Sequence, residues 1–389
     1  MLTLILWVAG CSYRAAPSPE SAFRKAVAVE VSDDLNFEGL ENSISSQRST
    51  LLRSPDKLMH FGSLSISQGA YGAALEQLQI ALARAKSPVE KDTYIRDHFS
   101  FLEVYGGEHW GEVLLTGYFE PILHGSLVRT EKFSQPLYSR PPQLITINLK
   151  KFSARFSEEG SLKGRLDGVT VVPFYTRQEI DGAQLALAHR GLELCWVDPV
   201  DAFFLHIQGS GTVKLPDGRE LFLTYAEKNG QKYEAIGKFL KAQIAPHQVT
   251  MQRIETVLRE MSDAERAEIL YMNPSYVFFT ISERRAITSM GVPANPGRTI
   301  ASDPRFMPKG ALALLTFKKP LFDPKNPQDP DPVSTETVSR LVLDQDTGGA
   351  IKGTDRIDLF WGRGDEAKKV AGVLQTRARV LYLVPKDPN

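Results

Sequence analysis

The spacing of hydrophobic residues divides the chain into helical and strand-forming stretches. Between residues 69 and 85, Leu75, Leu78 and Leu82 recur at intervals of three and four residues. This period matches one face of an α-helix and predicts an amphipathic helix over that stretch. A second helix is predicted for residues 90–102.

After residue 112 the pattern changes to short apolar runs bounded by Gly and Pro, which are typical of strands. The predicted strands are residues 112–121, 136–142, 143–149, 168–175, 202–215, 219–226, 276–281, 339–346, 356–362 and 380–385. Helices return at 233–245 and 252–270, where Ser262 and Glu265 form a capping-box pattern. Closely spaced strands of this kind predict a mainly β fold, a barrel or sandwich with several peripheral helices.

The N-terminus carries a targeting signal. An apolar run ends in small residues before Cys11, and it is shorter than the roughly 20 apolar residues that a membrane-spanning helix needs. We therefore interpret residues 1–11 as a bacterial lipoprotein signal with Cys11 as the lipidation site. Residues 12–58 are rich in Ser, Arg and acidic residues and are expected to form a tether. Ser12 favours the periplasmic face of the outer membrane.

The charges of the chain balance. Forty-six basic and 46 acidic residues give a formal net charge of zero, so no long-range field favours nucleic acid. With 389 residues, of which 42% are hydrophobic, the chain is long enough for two domains with substantial cores. The only cysteine besides Cys11 is Cys195, which lies in an apolar context. We therefore expect no disulfide within the mature fold.

The sequence lacks the patterns of several common catalytic and cofactor-binding sites. The seven histidines show no HxxxH or HxH spacing of a metal site. Residues 208–211 read QGSG, which differs from the GxSxG of a nucleophile elbow. A GxGxxA pattern at 362–367 is followed by only one further strand, too few for a dinucleotide-binding sheet. We expect neither a metal nor another cofactor.

Two aspartates near the C-terminus carry candidate chemistry. Asp358 lies between Ile357 and Leu359 in an apolar strand. A carboxyl in a poorly solvated cleft is held in the neutral form that an acid catalyst requires. Asp346 lies twelve residues earlier. If the two fold side by side, their charges couple and the pair titrates as a unit.

Longer motifs follow one another between residue 112 and the C-terminus. They are TGYFEP at 116–121, FFLHIQGSG at 203–211, NPSYVFF at 273–279, SDPRFMPKG at 302–310 and DTGGAIKGTDRIDLFWG at 346–362. Together they resemble the membrane-bound lytic murein transglycosylase A family. The last motif is similar to the three-aspartate domain that closes members of this family. Asp303, Asp346 and Asp358 fit its three positions.

The resemblance implies a fold and an activity. A double-psi β-barrel, built from residues 59–121 and 281–389, would carry an inserted β-rich domain at 122–280. The enzyme would cleave the β-1,4 bond between N-acetylmuramic acid and N-acetylglucosamine in peptidoglycan and leave a 1,6-anhydromuramoyl end. Asp358 would act as acid and then as base. Asp346 would assist, either by orienting Asp358 or by binding substrate.

The resemblance and the side-chain chemistry also predict a glycan-binding groove. Its candidate residues are Tyr118, Gln208, Ser210, Tyr225, Asn229, Asp303, Gly348, Gly349 and Lys352. The glycines allow close approach of the backbone to a sugar. Asn229 also fits a hairpin turn, and Asp303 before Pro304 also fits a turn. The implied partners are peptidoglycan glycan strands, the outer membrane through the lipid, and wall-remodelling proteins.

Two other functions remain open from the sequence. A hydrolase with Asp358 as acid and Asp346 as base would release reducing ends instead of anhydro ends. A lipoprotein that only tethers the envelope to peptidoglycan would use the same groove and release nothing.

Overall fold

The structure is a computed structural model that describes residues 18–27, 29–107, 109–156, 161–245, 249–283, 287–327, 329–349 and 351–386. The expected signal segment with its lipidation site, Cys11, lies outside these residues. Across the described ranges, every helix is too short or too polar to pass through a lipid bilayer.

Strands outnumber helices in the described chain. The strands are β1 (Phe23–Lys25), β2 (Leu58–Phe61), β3 (Leu64–Ser67), β4 (Phe99–Val104), β5 (Glu112–Glu120), β6 (Ile122–Ser126), β7 (Gln135–Tyr138), β8 (Ile145–Asn148), β9 (Ser161–Asp167), β10 (Thr170–Pro173), β11 (Glu193–Val197), β12 (Gly211–Lys214), β13 (Glu220–Lys228), β14 (Val277–Ser282), β15 (Thr299–Ala301), β16 (Leu312–Leu321), β17 (Ser334–Asp346), β18 (Arg356–Arg363) and β19 (Gln375–Pro385). The helices are α1 (Leu40–Leu51), α2 (Gln68–Arg84), α3 (Pro88–His98), α4 (Arg177–Asp181), α5 (Pro199–Gln208), α6 (Met251–Glu260), α7 (Asp263–Tyr271) and α8 (Gly364–Ala371).

Six strands close into a barrel. Their order is β19-β16-β17-β15-β18-β5, and β5 pairs back onto β19. Strand β15 runs parallel to β17, and β18 runs parallel to β5, whereas the other pairs of the ring are antiparallel. Strands β4 and β1 continue the sheet outward from β19. The predicted mainly β class with a barrel is therefore confirmed.

Helices α1 and α2 pack onto the barrel and share its hydrophobic core. Ile44 of α1, together with Leu75 and Leu78 of α2, is fully buried in the same cluster as Leu341 and Leu343 of β17. Burying each such side chain contributes about 1.5–3 kcal/mol. The helix predicted from the spacing of these leucines is confirmed, because α2 spans nearly the same residues.

The segment expected to be a tether is partly built into the fold. It contains β1 and α1, and Asp33 within it is paired with Arg298, a residue that is 1% exposed. The Arg298 Nη1 and Nη2 atoms donate to the two Asp33 oxygens at 2.6 and 2.8 Å. Arg340 of β17 holds Asp34 in the same bidentate manner. The polar composition does not by itself reveal this order, because buried arginines neutralise these two carboxylates.

The chain leaves the barrel after β5 and returns at β15. Between them, one sheet has the order β14-β13-β12-β6-β11-β7 and another the order β10-β9-β8. Gly117 fixes β5 against α8, since a Cβ atom there would lie 2.6 Å from the Ala371 Cα atom. The close contact of this helix sets the position of the strand that enters the inserted sheets.

Three predicted elements differ in the structure. Residues 99–102 begin strand β4 instead of continuing a helix, and residues 233–245 contain only a short 3-10 turn at Ile236–Phe239. Residues 199–208 form α5 instead of a strand. The Asp198 Oδ1 atom accepts from the backbone N–H groups at the helix start, and Gly209 ends the helix with a φ of 80°. This capping chemistry outweighed the apolar run.

Removing the Asp33 carboxylate is expected to destabilise the protein by about 3–5 kcal/mol, because Asp33→Ala leaves the buried Arg298 without its counter-charge. Urea unfolding of the purified protein measures the change. Asp56→Ala, at an exposed position, is the matched control and should stay within about 0.5 kcal/mol of the wild type. A loss below 1 kcal/mol for Asp33→Ala contradicts the view that this segment is part of the fold.

Candidate active site

The short strand β15 aligns two aspartates. Ala301 pairs with Asp346 of β17 on one side and with Asp358 of β18 on the other. Adjacent strands are about 4.8 Å apart, so the two aspartate backbones lie about 10 Å apart. Thr116 of β5 pairs with Asp358 on its other side. The β15–β17 register shifts at Ala301, but Thr116 and Tyr118, two residues apart on β5, share a face of the sheet. Their hydroxyls bond to Asp358 and Asp346, so these side chains line one surface.

Asp358 is held by two polar neighbours. The Thr116 hydroxyl donates to the Asp358 Oδ1 atom at 2.5 Å. Arg356 donates from Nε to Oδ1 at 2.9 Å and from Nη2 to Oδ2 at 3.1 Å. The Asp358 side chain is 14% exposed. Both carboxylate oxygens therefore have donors, and the carboxyl stays accessible at the surface of the cleft.

These surroundings differ from the apolar cleft expected around Asp358. Ile357 and Leu359 are fully buried in the barrel core. Residues next to each other on a strand point to opposite faces, so these apolar neighbours do not surround the carboxyl. Arg356, two residues before Asp358, shares its face and pairs with it.

Asp346 has neutral donors instead of a cation at its carboxylate. Its Oδ1 atom accepts from the backbone N–H groups of Ser289 and Thr347, both at 2.9 Å. Its Oδ2 atom accepts from the Tyr118 hydroxyl at 3.1 Å. Burial raises the pKa of Asp346 above its ordinary value, although these three donors favour the ionised form. The principal cause is burial, and not the coupling to Asp358 that the sequence led us to expect.

Tyr118 of β5 is close to both carboxylates and bonds to Asp346. It follows Thr116 by two residues on β5, and its ring lies 5.2 Å from that of Phe360. Burial and the negative charges of Asp346 and Asp358 raise the pKa of Tyr118 well above its ordinary value. The hydroxyl therefore stays a neutral donor to Asp346.

A buried network supports the end of β17. The Lys309 ammonium donates to the Asp344 Oδ1 atom and the Ser302 hydroxyl, both at 2.7 Å, and to the Asp346 backbone oxygen at 2.5 Å. The Tyr382 hydroxyl donates to the Asp344 Oδ2 atom at 2.6 Å. These bonds fix the backbone from which Asp346 projects.

Asp303 anchors the loop that follows Asp346. It is 2% exposed, and its Oδ2 atom accepts from the Gly353 backbone N–H at 2.8 Å and from Arg305 Nη2 at 2.6 Å. Burial alone would raise the pKa of Asp303, but the bonds from Arg305 and Gly353 lower it on balance. The expected contact with glycan is corrected, because this carboxylate is buried and already has its donors.

Two other residues that were expected to bind glycan form hydrogen bonds to backbone groups within the fold. Asn229 is fully buried, and its amide nitrogen donates to the backbone oxygens of Tyr175 and Pro274, both at 2.8 Å. The Gln208 Oε1 atom accepts from the Phe119 backbone N–H at 3.1 Å. These bonds hold loops and the junction between β5 and α5. Asn229 is therefore not accessible to a sugar, whereas a glycan contact of the half-buried Gln208 stays a prediction.

The remaining candidates are accessible. Tyr225 of β13 is 49% exposed, Ser210 and Gly348 are half-buried, and Gly349 and Lys352 are exposed. The ammonium of Lys228, at the end of β13, lies 3.8 Å from the position that a Cβ atom on Gly349 would occupy. Strand β13 of the inserted sheet therefore faces the loop after Asp346.

Sequence reasoning missed Thr116, Arg356 and Ser289. The first two had a signal, since each lies two residues before a chosen residue on a strand and therefore on the same face. Ser289 had none, because it comes from a distant loop and uses its backbone N–H.

The arrangement suits proton transfer at one surface. Asp358 and Asp346 have different donors, and environments that differ in this way allow two carboxyls to take different roles. Within the described ranges, no three His, Cys, Asp or Glu side chains gather as metal ligands would.

Comparison with known proteins finds relatives for both parts of the chain. Residues 114–280 match the MltA specific insert domain, and residues 298–384 match the 3D domain. Membrane-bound lytic murein transglycosylase A of Escherichia coli K12 is 30% identical over 285 residues, which cover 72% of this chain and 68% of that protein. A membrane-bound lytic murein transglycosylase from Agrobacterium tumefaciens, whose crystal structure is known, has a TM-score of 0.73 and 27% identity, with coverage of 94% of this chain and 98% of that chain. The structure of E. coli MltA with bound chitohexaose shares the fold, with a TM-score of 0.69, 24% identity and coverage of 96% and 97%.

Asp303→Ala is expected to loosen the loop that carries Lys352, because Gly353 loses its acceptor. Limited digestion with trypsin should cut after Lys352 about tenfold faster than in the wild type, since proteolysis follows local opening. Asp365→Ala, a surface aspartate at the start of α8, is the control. An unchanged cleavage rate contradicts the anchoring role.

Proposed function

The chain belongs to the membrane-bound lytic murein transglycosylase A family, and from this membership we propose that it is a lytic transglycosylase of peptidoglycan. It cleaves the β-1,4 bond between N-acetylmuramic acid and N-acetylglucosamine and leaves a 1,6-anhydromuramoyl end. The observation that carries the proposal is the pairing of Asp346 and Asp358 with Ala301, which gives two carboxyls one accessible face.

Asp358 performs both proton transfers in this proposal. As a neutral carboxyl it donates its proton to the glycosidic oxygen while the bond from that oxygen to C1 of the muramic acid breaks. The C6 hydroxyl of the same sugar then attacks C1, and its proton passes to the Asp358 carboxylate. The acid is thereby regenerated without water. The Thr116 hydroxyl, 2.5 Å from Oδ1, orients the carboxyl through both steps.

Arg356 has to leave Asp358 when the glycan enters. A bidentate guanidinium pairs with an ionised carboxylate, whereas the first step needs a neutral one. The Arg356 side chain is 33% exposed, so it has solvent to move into. Glycan in the groove displaces the arginine and excludes water from Asp358, which favours its neutral form.

Asp346 stabilises the positive charge that develops at C1. This role needs an ionised carboxylate. Burial raises the pKa of Asp346, and the N–H groups of Ser289 and Thr347 with the Tyr118 hydroxyl limit that rise. A hydrolase would use Asp346 as a base on water instead, and the products distinguish the two reactions.

The proposal includes the setting of the reaction. Glycan strands occupy the groove between the barrel and β13, where exposed Tyr225 offers an aromatic face. A relative of the same fold was solved with bound chitohexaose. Lipid on Cys11 holds the enzyme at the periplasmic face of the outer membrane, where wall-remodelling proteins are its partners. The double-psi connectivity of the barrel and its division into 59–121 and 281–389 around 122–280 belong to the same proposal.

Asp358→Asn is expected to abolish turnover, with a loss of at least about 10³-fold, because an amide cannot donate the proton. Purified peptidoglycan is incubated with protein lacking residues 1–11, and the released muropeptides are weighed by mass spectrometry. The wild type should release products 18 Da lighter than hydrolytic ones, the mass of one water.

The same experiment tests the two alternatives. Asp358→Asn should still sediment with insoluble peptidoglycan, which shows that the groove is intact. Products with reducing ends from the wild type indicate a hydrolase. Absence of products from the wild type, with binding retained, indicates a protein that only tethers the wall.

Tyr118→Phe is expected to move the acidic limb of the pH profile of kcat/KM to higher pH. The hydroxyl lowers the pKa of Asp346, so its removal raises that pKa, and more protons are bound at a given low pH. Activity then falls at a higher pH as the solution is acidified. Tyr94→Phe, on α3, is the control. A profile that falls in height without moving contradicts the role given to ionised Asp346.

A further inference from the structure

Two lysines face the groove without a carboxylate partner. Among the residues that the structure describes, neither Lys228 nor Lys352 forms an ion pair. The only carboxylate next to Lys228 in sequence, Glu227, is paired with Lys163 and also accepts from the Tyr225 hydroxyl at 3.3 Å. Neither ammonium group is therefore neutralised by a direct ion pair, while Glu227 and Lys163 balance each other.

The two lysines come from different parts of the fold. Lys228 ends β13 of the inserted sheet, and its ammonium lies over Gly349. Lys352 lies in the barrel loop, six residues after Asp346 and six before Asp358. Burial lowers the pKa of Lys228 and the charge of Lys352 lowers it further, while the charge of Glu227 partly opposes both. Two cations that repel each other across a groove are stabilised by an anion between them.

We propose that Lys228 and Lys352 form a subsite for a carboxylate of the peptidoglycan substrate. This inference rests on the proposed function and adds a determinant of specificity. Peptidoglycan carries carboxylates on the lactyl group of peptide-free muramic acid and on its stem peptides, whereas chitin carries none. The subsite places this anion beside the loop that joins Asp346 to Asp358, so it sets the register of muramic acid at the reacting bond.

Binding to chemically neutralised peptidoglycan tests the subsite. Carboxylates of insoluble peptidoglycan are converted to amides with a carbodiimide and ammonia. Dissociation constants for treated and untreated material are measured by co-sedimentation with the Asp358→Asn protein. We expect about tenfold tighter binding to untreated peptidoglycan, a difference of about 1.4 kcal/mol that two partly exposed ion pairs can supply.

Variants at the two lysines assign that preference to the subsite. In the same Asp358→Asn protein, Lys228→Met combined with Lys352→Met should bring the tenfold ratio close to one. Lys228→Arg combined with Lys352→Arg keeps both charges and should retain most of the ratio. Lys318→Met, an exposed lysine on β16, should retain all of it. Equal binding of treated and untreated material by the parent protein overturns the proposal, as does a ratio that survives both Met substitutions.

A third substrate identifies the source of the carboxylate. Glycan strands stripped of peptides by an amidase retain only lactyl carboxylates. A lysine-dependent preference that persists on these strands supports a lactyl subsite, and one that requires intact peptides supports a stem-peptide subsite. Because Asp358→Asn protein does not turn over, these results stand apart from the products of the wild-type reaction, which test the proposed function.

Discussion

The pairing of one short strand with two neighbours is the constraint on which the site depends. Strand β15 has three residues, and its last, Ala301, sets Asp346 and Asp358 at one level of the barrel. Closure of the ring through β5 and β19 adds Thr116 and Tyr118 to the same face. Slippage of β15 by one residue would turn its side chains to the other face. The strand pairings that close the barrel therefore also assemble the site.

The two carboxyls differ because their donors differ in charge. Asp358 is paired with a guanidinium that has solvent beside it, so its partner can be exchanged for substrate. Asp346 has backbone N–H groups and a phenol, which cannot leave without unfolding a loop or strand. In the proposed mechanism, Asp358 changes its partner during the reaction and Asp346 keeps its donors. The proposed subsite of Lys228 and Lys352 adds a determinant of substrate choice.

Local sequence patterns predicted the elements well where burial decides the structure, as in α2 and in barrel strands β5, β17, β18 and β19, but they gave no strand at β15 or β16. They failed where helix caps or hydrogen bonds to residues distant in sequence decide the structure. The start of α5 follows from Asp198 and Gly209, although its interior reads as a strand. Asn229 and Gln208 carry groups suited to sugars, yet their partners are backbone atoms far away in sequence. The motifs identified the aspartates. Only the two-residue period of a strand reveals that Arg356 lies on the same face as Asp358.

Incorporation of heavy oxygen from water tests the central claim, which is that the sugar's own C6 hydroxyl attacks C1 after Asp358 has protonated the leaving group. The wild-type protein digests peptidoglycan in H₂¹⁸O, and the new muramoyl ends are examined by mass spectrometry. The account predicts ends that carry no ¹⁸O. Ends that are 2 Da heavier than those formed in ordinary water would mean that water attacks, and the account of a single carboxyl as acid and then base would be wrong.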